Sequence, residues 1–435
     1  MATATAPARS SAPSPVAGAT LAFLLLTALN FVNYIDRYIL PGVQELVKKE
    51  FHVSDSDIGS ITFWFFLTYM LSAPLTGWLG DHFPRKPLIV ICAIAISLVN
   101  LLTGTVHVFD SLLFRHAILG IGEASFGIYA PSLISDYYPE DQRNRVLTMF
   151  YTAIPVGAAI GYLIGEVIGS KYGWRMPFYV SAVPGMIIGL LMLFFLKEPK
   201  RGGSEVVAKP AATAEPAAKV GSLRLIGNLA VNPRYMFATM GMAMTVFSLG
   251  GISAWMPSFL QRNGMSPDSI GIIFGAIVAG GGLGGTAAGG WIAQRWLRTN
   301  HRALYLVSAW SAAATVPPAL LCFFGPKATM LPALAFAMFF IMMGTGPLNA
   351  AIINSVPASI RSSALAIEML LIHLFGDTPS PKIIGIISDH STLAFGLGIT
   401  LITMLFAAVL LFIGARYESP MTFDQAALTA GVGHH

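Results

Sequence analysis

The chain has 435 residues, 55% of them hydrophobic and only 11% charged, with a formal net charge of +5. A soluble domain carries about a quarter charged residues, so this composition excludes a water-exposed globular protein and points to a membrane protein. The two cysteines, Cys92 and Cys322, lie inside apolar stretches and imply no disulfide framework.

In chain order, residues 1–19 are rich in Ala, Ser and Pro and read as a disordered tail. Apolar blocks follow, each near the ~20 residues a helix needs to cross ~30 Å of hydrocarbon. They lie roughly at 20–43, 57–80, 87–107, 112–137, 145–169, 175–196, 233–260, 268–292, 302–324, 330–355, 361–388 and 393–415. They are apolar all round, whereas barrel strands alternate. The first block contains Asn30, Asn33, Asp36 and Arg37, so it does not read as a cleaved signal.

Residues 197–232 form a long polar stretch rich in Ala, Pro, Lys and Glu. They read as a cytoplasmic linker with a short interfacial helix near Ser222–Ala230. The linker divides the chain into six-helix units at 20–196 and 233–416, with a cytoplasmic tail at 417–435. His434 and His435 read as a tag remnant. Most of the 26 Lys and Arg residues fall in loops that share a side with the N-terminus, which places both termini in the cytoplasm. The expected fold class is all-α polytopic: twelve transmembrane helices in two pseudo-symmetric six-helix bundles. Substrate is expected near the midplane between halves that rock to alternate access. No loop is long enough for a soluble catalytic domain. The sequence shows no His–Asp catalytic pairing and no metal-ligand cluster, so neither an enzyme nor a metal or other cofactor is expected, nor a nucleic-acid partner.

A charge near the centre of a membrane helix costs roughly 2.5–3.5 kcal/mol, so each needs a partner or a task. Asp36 can exchange a proton, and Arg37 can fork onto a carboxylate or phosphate. Glu123, among Gly120, Gly122 and Gly127, is a second proton-site candidate and a partner for Arg37. Arg115 serves either an anionic head group or backbone carbonyls. Glu368, His373, Asp377 and Lys382 share the eleventh block with Pro379 and Pro381, which must disturb the backbone there. That combination suggests a gate on the outer side; a structural Asp377–Lys382 pair is the alternative. Phe63, Trp64, Phe65, Phe66, Tyr69 and Trp255 suit an apolar chamber for an acyl tail. Glycines recur every fourth residue at Gly157–Gly169 and Gly281–Gly289, a spacing that permits close helix packing.

The run Gly77-Trp78-Leu79-Gly80-Asp81-His82-Phe83-Pro84-Arg85-Lys86 resembles the signature loop of the major facilitator superfamily, with Gly77 expected to let two helices approach and Asp81 to face a helix N-terminus. A degenerate copy, Gly289-Gly290-Trp291-Ile292-Ala293-Gln294-Arg295, sits one half later. Arg115 with Gly120 and Gly122 resembles the fourth-helix motif. Within the superfamily, Asn33-Tyr34-Ile35-Asp36-Arg37 resembles both the spinster family and the organic-anion symporters. Gly122-Glu123-Ala124 and His373–Pro381, followed by Gly385 and Ser388-Asp389, are similar to spinster proteins.

The resemblance implies a bacterial, monomeric, inner-membrane secondary transporter, proton-coupled or proton-sensitive. Its cargo would be an amphiphilic anion of the lysophospholipid or sphingosine-phosphate type. Arg37 and Arg115 would engage the phosphate, while Asp36 and Glu123 exchange protons. Asn33, Tyr34, Tyr129, Glu368 and His373 would join the binding site. Gly77, Asp81, Arg85, Lys86, Asp377, Pro379, Pro381 and Lys382 would serve structure and gating. The fifth and eighth helices would meet across the halves, with the glycine stripes allowing sliding. The alternative on the same fold is transport of small organic anions or drug-like compounds.

Overall fold

The computed structural model describes residues 15–201, 227–357 and 360–418. The proposed linker therefore lies largely outside the described residues. Among these, the chain is helical, without strands. The first half contains α1 (Ala19–Phe51), α2 (Asp55–His82), α3 (Arg85–Thr103), α4 (Phe109–Tyr137), α5 (Glu140–Leu163) and α6 (Met176–Phe195). α5 is prolonged by a π-helical stretch, Ile164–Ile168, and a last turn, Gly169–Tyr172. The second half contains α7 (Pro233–Arg262), α8 (Pro267–Leu297), α9 (Ala303–Phe324), α10 (Lys327–Asn354), α11 and α12 (Leu393–Gly414). α11 has two segments, Arg361–Ile372 and Ser380–His390, separated by a π-helical stretch, His373–Asp377.

Among the described residues, eleven helices are long and apolar enough to cross a membrane by length and composition. The twelfth span is α11, whose interruption shortens each part. Its break falls upstream of the prolines. Gly376 leaves helical geometry at φ −103°, ψ −108°, and Pro381 sits in the first turn of the second segment with Pro379 just before it. Proline lacks an N–H and is tolerated where that N–H has no helical partner. Pro379 and Pro381 therefore restart α11 rather than bend it.

Local signals fix several helix starts. Ser54 and Asp57 form a reciprocal capping box at α2, and Asn232 and Thr392 cap α7 and α12. Large apolar side chains such as Leu71, Phe114, Phe194, Trp291 and Ile402 stay exposed around the bundle, as suits lipid contact.

The faces of the bundle differ. On the face where α1 ends, one apolar core runs through both halves, including Ile39, Val43, Tyr162, Trp255, Phe274, Ile341 and Leu397. On the face where α1 begins, each half keeps its own core. One is built around Leu26, Tyr129 and Met192, the other around Tyr235, Tyr305 and Leu411. The halves are thus fused at the far face and separately packed at the N-terminal face.

The glycine stripes serve packing inside each half, not the meeting of α5 with α8. A Cβ on Gly157, Gly161 or Gly165 would strike α1 at Tyr34, Ile35 or Ile39, and Gly169 abuts Val43 of the same helix. Gly281, Gly285 and Gly289 face α10 at Met338, Phe339 and Met343. α5 and α8 do meet, at Gly271 on Leu163 and Gly275 on Ala159. A four-residue repeat marks a smooth face, but not which neighbour fills it.

Candidate functional site

Successive residues of a helix point about 100° apart, so Asp36 and Arg37 of α1 reach different neighbours. Arg37 turns to Glu123 of α4. Its Nε donates to Oε2 at 2.8 Å, and Nη2 reaches the same oxygen. The Glu123 side chain is 4% exposed and that of Arg37 19%. The glycines beside Glu123 seat α4 closely on its other neighbours: a Cβ on Gly120 would strike Thr68 and the Phe65 carbonyl of α2, and one on Gly122 would strike Ile96 of α3.

Aromatic rings surround the guanidinium. Its carbon lies 4.9 Å from the Tyr34 ring, 5.2 Å from Phe65, 5.6 Å from Tyr69 and 5.8 Å from Phe66. Such rings attract a cation through their negative faces.

Two cavities adjoin this cluster. One of about 120 Å³ lies between the halves, with Arg37, Tyr38, Thr62, Ser253 and Asp377 on its walls. The other, about 380 Å³ and largely apolar, lies between α2, α4 and α11, lined by Met70, Ala73, Ile128, Ile367, Met369 and Leu370. The π-helical stretch of α11 stands between them. His373 borders the apolar cavity and Asp377 the smaller one, whose walls also include Pro41, Phe66, Val246 and Leu249. The two side chains are hydrogen-bonded at 2.8 Å, and the His373 ring rests on Phe66 and Tyr69.

Other candidates fall elsewhere. Asp36 lies inside the first half beside Ser181 of α6 and Asn100 of α3. Its Oδ1, both polar atoms of the Asn100 side chain and Asn33 Nδ2 lack a hydrogen-bond partner among the described residues. Arg115 donates to Thr105 at 3.3 Å, at the α3–α4 connection rather than beside Arg37. Tyr129 packs in the core of the first half, where its ring fills the space beside Gly80, and lines neither cavity. Glu368 is buried next to Tyr235 and faces away from the apolar cavity its neighbours line. Lys382 does not pair with Asp377; its ammonium lies over the Phe63 ring at 5.4 Å. Of the aromatic residues, Trp64 is 40% exposed, and Trp255 is buried and donates to the Pro381 carbonyl at 2.8 Å.

In the signature loop, Gly77 abuts nothing; the close approach is at Gly80. The buried Arg85 pairs with Asp136 and Glu198 and donates to Ser132 at 2.8 Å. Glu198 also accepts from the backbone N–H groups of Arg85 and Lys86. Arg201 donates to the carbonyls of Gly80, Asp81 and Phe83. Asp81 is exposed and takes part through its carbonyl. Glu198 and Arg201 thus cap the end of α2 and the start of α3, a role hidden behind their appearance as linker charges.

A polar cluster that sequence reasoning missed ties the halves together at the far face. Arg262 of α7 grips Asp55 through Nη1 at 2.7 Å and Nη2 at 2.6 Å, and Glu45 at 2.9 and 2.6 Å. Lys48 also pairs with Asp55, and Ser388 donates to it at 2.6 Å. Asp389 accepts from the N–H groups of Asp55 and Ser56 at 2.8 and 2.9 Å, a carboxylate placed on a helix N-terminus. Gln44 donates to Ser258 and to the Ala254 carbonyl.

The Major Facilitator Superfamily model matches residues 26–376. Protein spinster homolog 1 of Xenopus tropicalis is 32% identical over 387 residues, covering 84% of this chain and 72% of that protein. Sphingosine-1-phosphate transporter SPNS2 of Danio rerio is 32% identical over 388 residues, covering 84% and 75%. Among solved structures, a bacterial homolog of the human lysosomal transporter Spinster, inward-facing and unoccupied, superposes with a TM-score of 0.82 at 20% identity, covering 95% of this chain and 99% of that one. The nucleoside transporter NupG superposes at 0.68 with 14% identity, covering 91% and 99%. Family model, relatives and fold agree: the chain belongs to the spinster family of the major facilitator superfamily and is a membrane transporter, not an enzyme.

Proposed function

We propose that the chain is an alternating-access transporter of amphiphilic anionic lipids, of the lysophospholipid or sphingosine-phosphate type, coupled to protons. It would work as a monomer in a bacterial inner membrane, with both termini cytoplasmic and the far face outside. The two working units would be residues 20–196 and 233–416, joined by 197–232.

The observation that carries this reading is the position of Arg37. One guanidinium, held by one buried carboxylate, stands on the wall of a small cavity that also presents Thr62, Ser253 and Asp377 among apolar side chains, with a larger apolar cavity next to it. A phosphate head suits the first and an acyl chain the second. Carboxylate and phosphate compete for the same fork of donors. A proton on Glu123 removes its charge and leaves the fork to the phosphate; loss of that proton returns Arg37 to Glu123. Proton and lipid would therefore favour each other's binding through one ion pair. Asp36 would add a second proton site within the first half, next to Asn100.

The test is thermal stabilisation of the purified protein by a lysophospholipid and by a short-chain carboxylate, at about pH 5.5 and about pH 7.5. The wild type should be stabilised by the lysolipid, more strongly at the lower pH. Glu123→Gln should be stabilised equally at both, and Arg37→Ala at neither. Stabilisation by the short carboxylate alone would transfer the assignment to small organic anions. Lysolipid stabilisation that survives in Arg37→Ala would remove the head-group role.

A further inference from the structure

Glu166 is an acid the transport site does not use. It lies in the π-helical stretch of α5 and is 3% exposed. α1 and α8 close on it with bare backbone. A Cβ on Gly42 would stand 3.0 Å from the Glu166 nitrogen, and one on Gly271 would stand 3.3 Å from its Cβ. Among the described residues its carboxylate accepts no hydrogen bond and joins no ion pair. π-helical stretches inside helices recur at functional positions.

Most charges that α1, α6 and α8 bring to the far face around it are already committed; the exceptions on α1 are the exposed Lys49 and, deeper in the first half, Asp36. On α1, Glu45 is the one whose field reaches Glu166, and it is held by Arg262 of α7. Lys48 of α1 is held by Asp55. On α8, Asp268 pairs at the rim with Lys171, from the end of the fifth span. At the start of α6, Arg175 pairs with Glu50. Glu45 and Asp55 thus take Arg262 and Lys48, and the cation left over there, Lys49, stands exposed without pairing with a third carboxylate among the described residues. An ionised acid enclosed beside a like charge with no partner is unfavourable, and a bound proton removes the penalty.

We propose that Glu166 is a proton-binding residue of the far-face gate: the halves close over it with a proton on its carboxylate, taken from the solution on that side. The proton returns to that solution when α8 parts from α5. As the halves part, Arg262 also withdraws from Glu45 and Asp55, so three carboxylates of the first half face water together. Closing again requires Arg262 for two of them and a proton for the third. This inference does not depend on the lipid cargo or on the Arg37–Glu123 exchange. It needs only that the far face opens.

The experiment measures the distance across that face by electron spin resonance, with spin labels at Lys49→Cys and Lys327→Cys, both exposed. It is done in a Cys92→Ser, Cys322→Ser background, without ligand, over about pH 5 to 9. For the wild type, the ratio of open to closed should rise by up to about tenfold per pH unit over the range in which the closed face holds the proton and the open face has lost it, and level off above that range, the behaviour of one linked proton. Glu166→Gln should stay closed and lose that slope, while Glu45→Gln should keep it. Glu166→Leu, neutral and accepted by apolar surroundings, should behave like the Gln variant and replaces it should the Gln protein fold poorly. A wild-type distribution that ignores pH, or a neutral variant that keeps the wild-type slope, would overturn the proposal. Neither result would touch the lysolipid test.

Discussion

Beside the α1–α7 bonds, two matching seams join the halves across the far face, α2 on α11 and α5 on α8, and both begin from one phrase. α2 opens with Ser54-Asp55-Ser56-Asp57-Ile58-Gly59, and α8 with Ser266-Pro267-Asp268-Ser269-Ile270-Gly271. In each the glycine admits the partner's backbone: Gly59 meets Pro381 and Lys382, and Gly271 meets Tyr162 and Leu163. The difference lies at the second residue. Asp55 gathers Arg262, Lys48 and Ser388, so the first seam is held by directed bonds across the halves. Pro267 offers nothing comparable: apart from the exposed Lys171–Asp268 pair at its rim, the second seam rests on fit around Glu166. Two copies of one contact therefore answer to different perturbations. The α2–α11 seam should respond to loss of a partner, and the α5–α8 seam to added volume and to pH.

The largest effect that would sharpen this contrast is expected from Arg262→Ala. It strips Glu45 and Asp55 of a shared cation while the Asp55 side chain, 3% exposed, stays enclosed. Breaking such a pair costs about 3 kcal/mol, so the closed far face should lose more than a hundredfold in population. The labelled distance pair would report this as a shift to the long component. Gly271→Val comes next. The added carbons meet the Leu163 backbone at 3.0 Å and must push α8 from α5. Overpacking of that kind costs about 1–3 kcal/mol. Were Gly271→Val to open the face more than Arg262→Ala, packing rather than charge would hold both seams, and the contrast would fall.

Much of the fold was legible in the sequence because lipid imposes a single rule: backbone polar groups must be satisfied within the segment, so apolar blocks become helices. The Arg37–Glu123 contact was legible for a related reason, since charges inside the membrane seek each other. The far-face cluster was not. Arg262, Glu45 and Asp55 sit near helix ends, where charges look like ordinary loop residues, and Arg262 lies 207 positions from Asp55. Glu166 is a different case. It stands inside an apolar block, and the cost argument for Asp36 and Glu123 applies equally to it. Tyr129 and Arg115 lie away from Arg37, which the sequence did not show, because a polar residue within a helix carries no mark of which way it faces. In the eleventh span, the prolines correctly signalled an interruption, but its site, Gly376, depends on how α7 packs there: Val246 and the Ala243 carbonyl leave no room for a Cβ.

The smallest expected effect tests whether Asp55 acts through charge or through its full set of bonds. Ser388 gives Asp55 a single neutral donor, at 2.6 Å to Oδ2, the same oxygen that Arg262 Nη1 reaches at 2.7 Å. Ser388→Ala leaves Arg262, Lys48 and the Asp389 contact to the α2 N-terminus in place. An acceptor that keeps two cations is not stranded, so the loss should be about 1 kcal/mol. The far face should remain mostly closed, with a small drop in the midpoint of thermal unfolding. A Ser388→Ala protein that opens as far as Arg262→Ala would mean that hydroxyl placement, not neutralisation, sets the strength of the α2–α11 seam. The pH response assigned to Glu166 would then have to be separated from titration of Asp55, by repeating the distance measurement in Asp55→Asn.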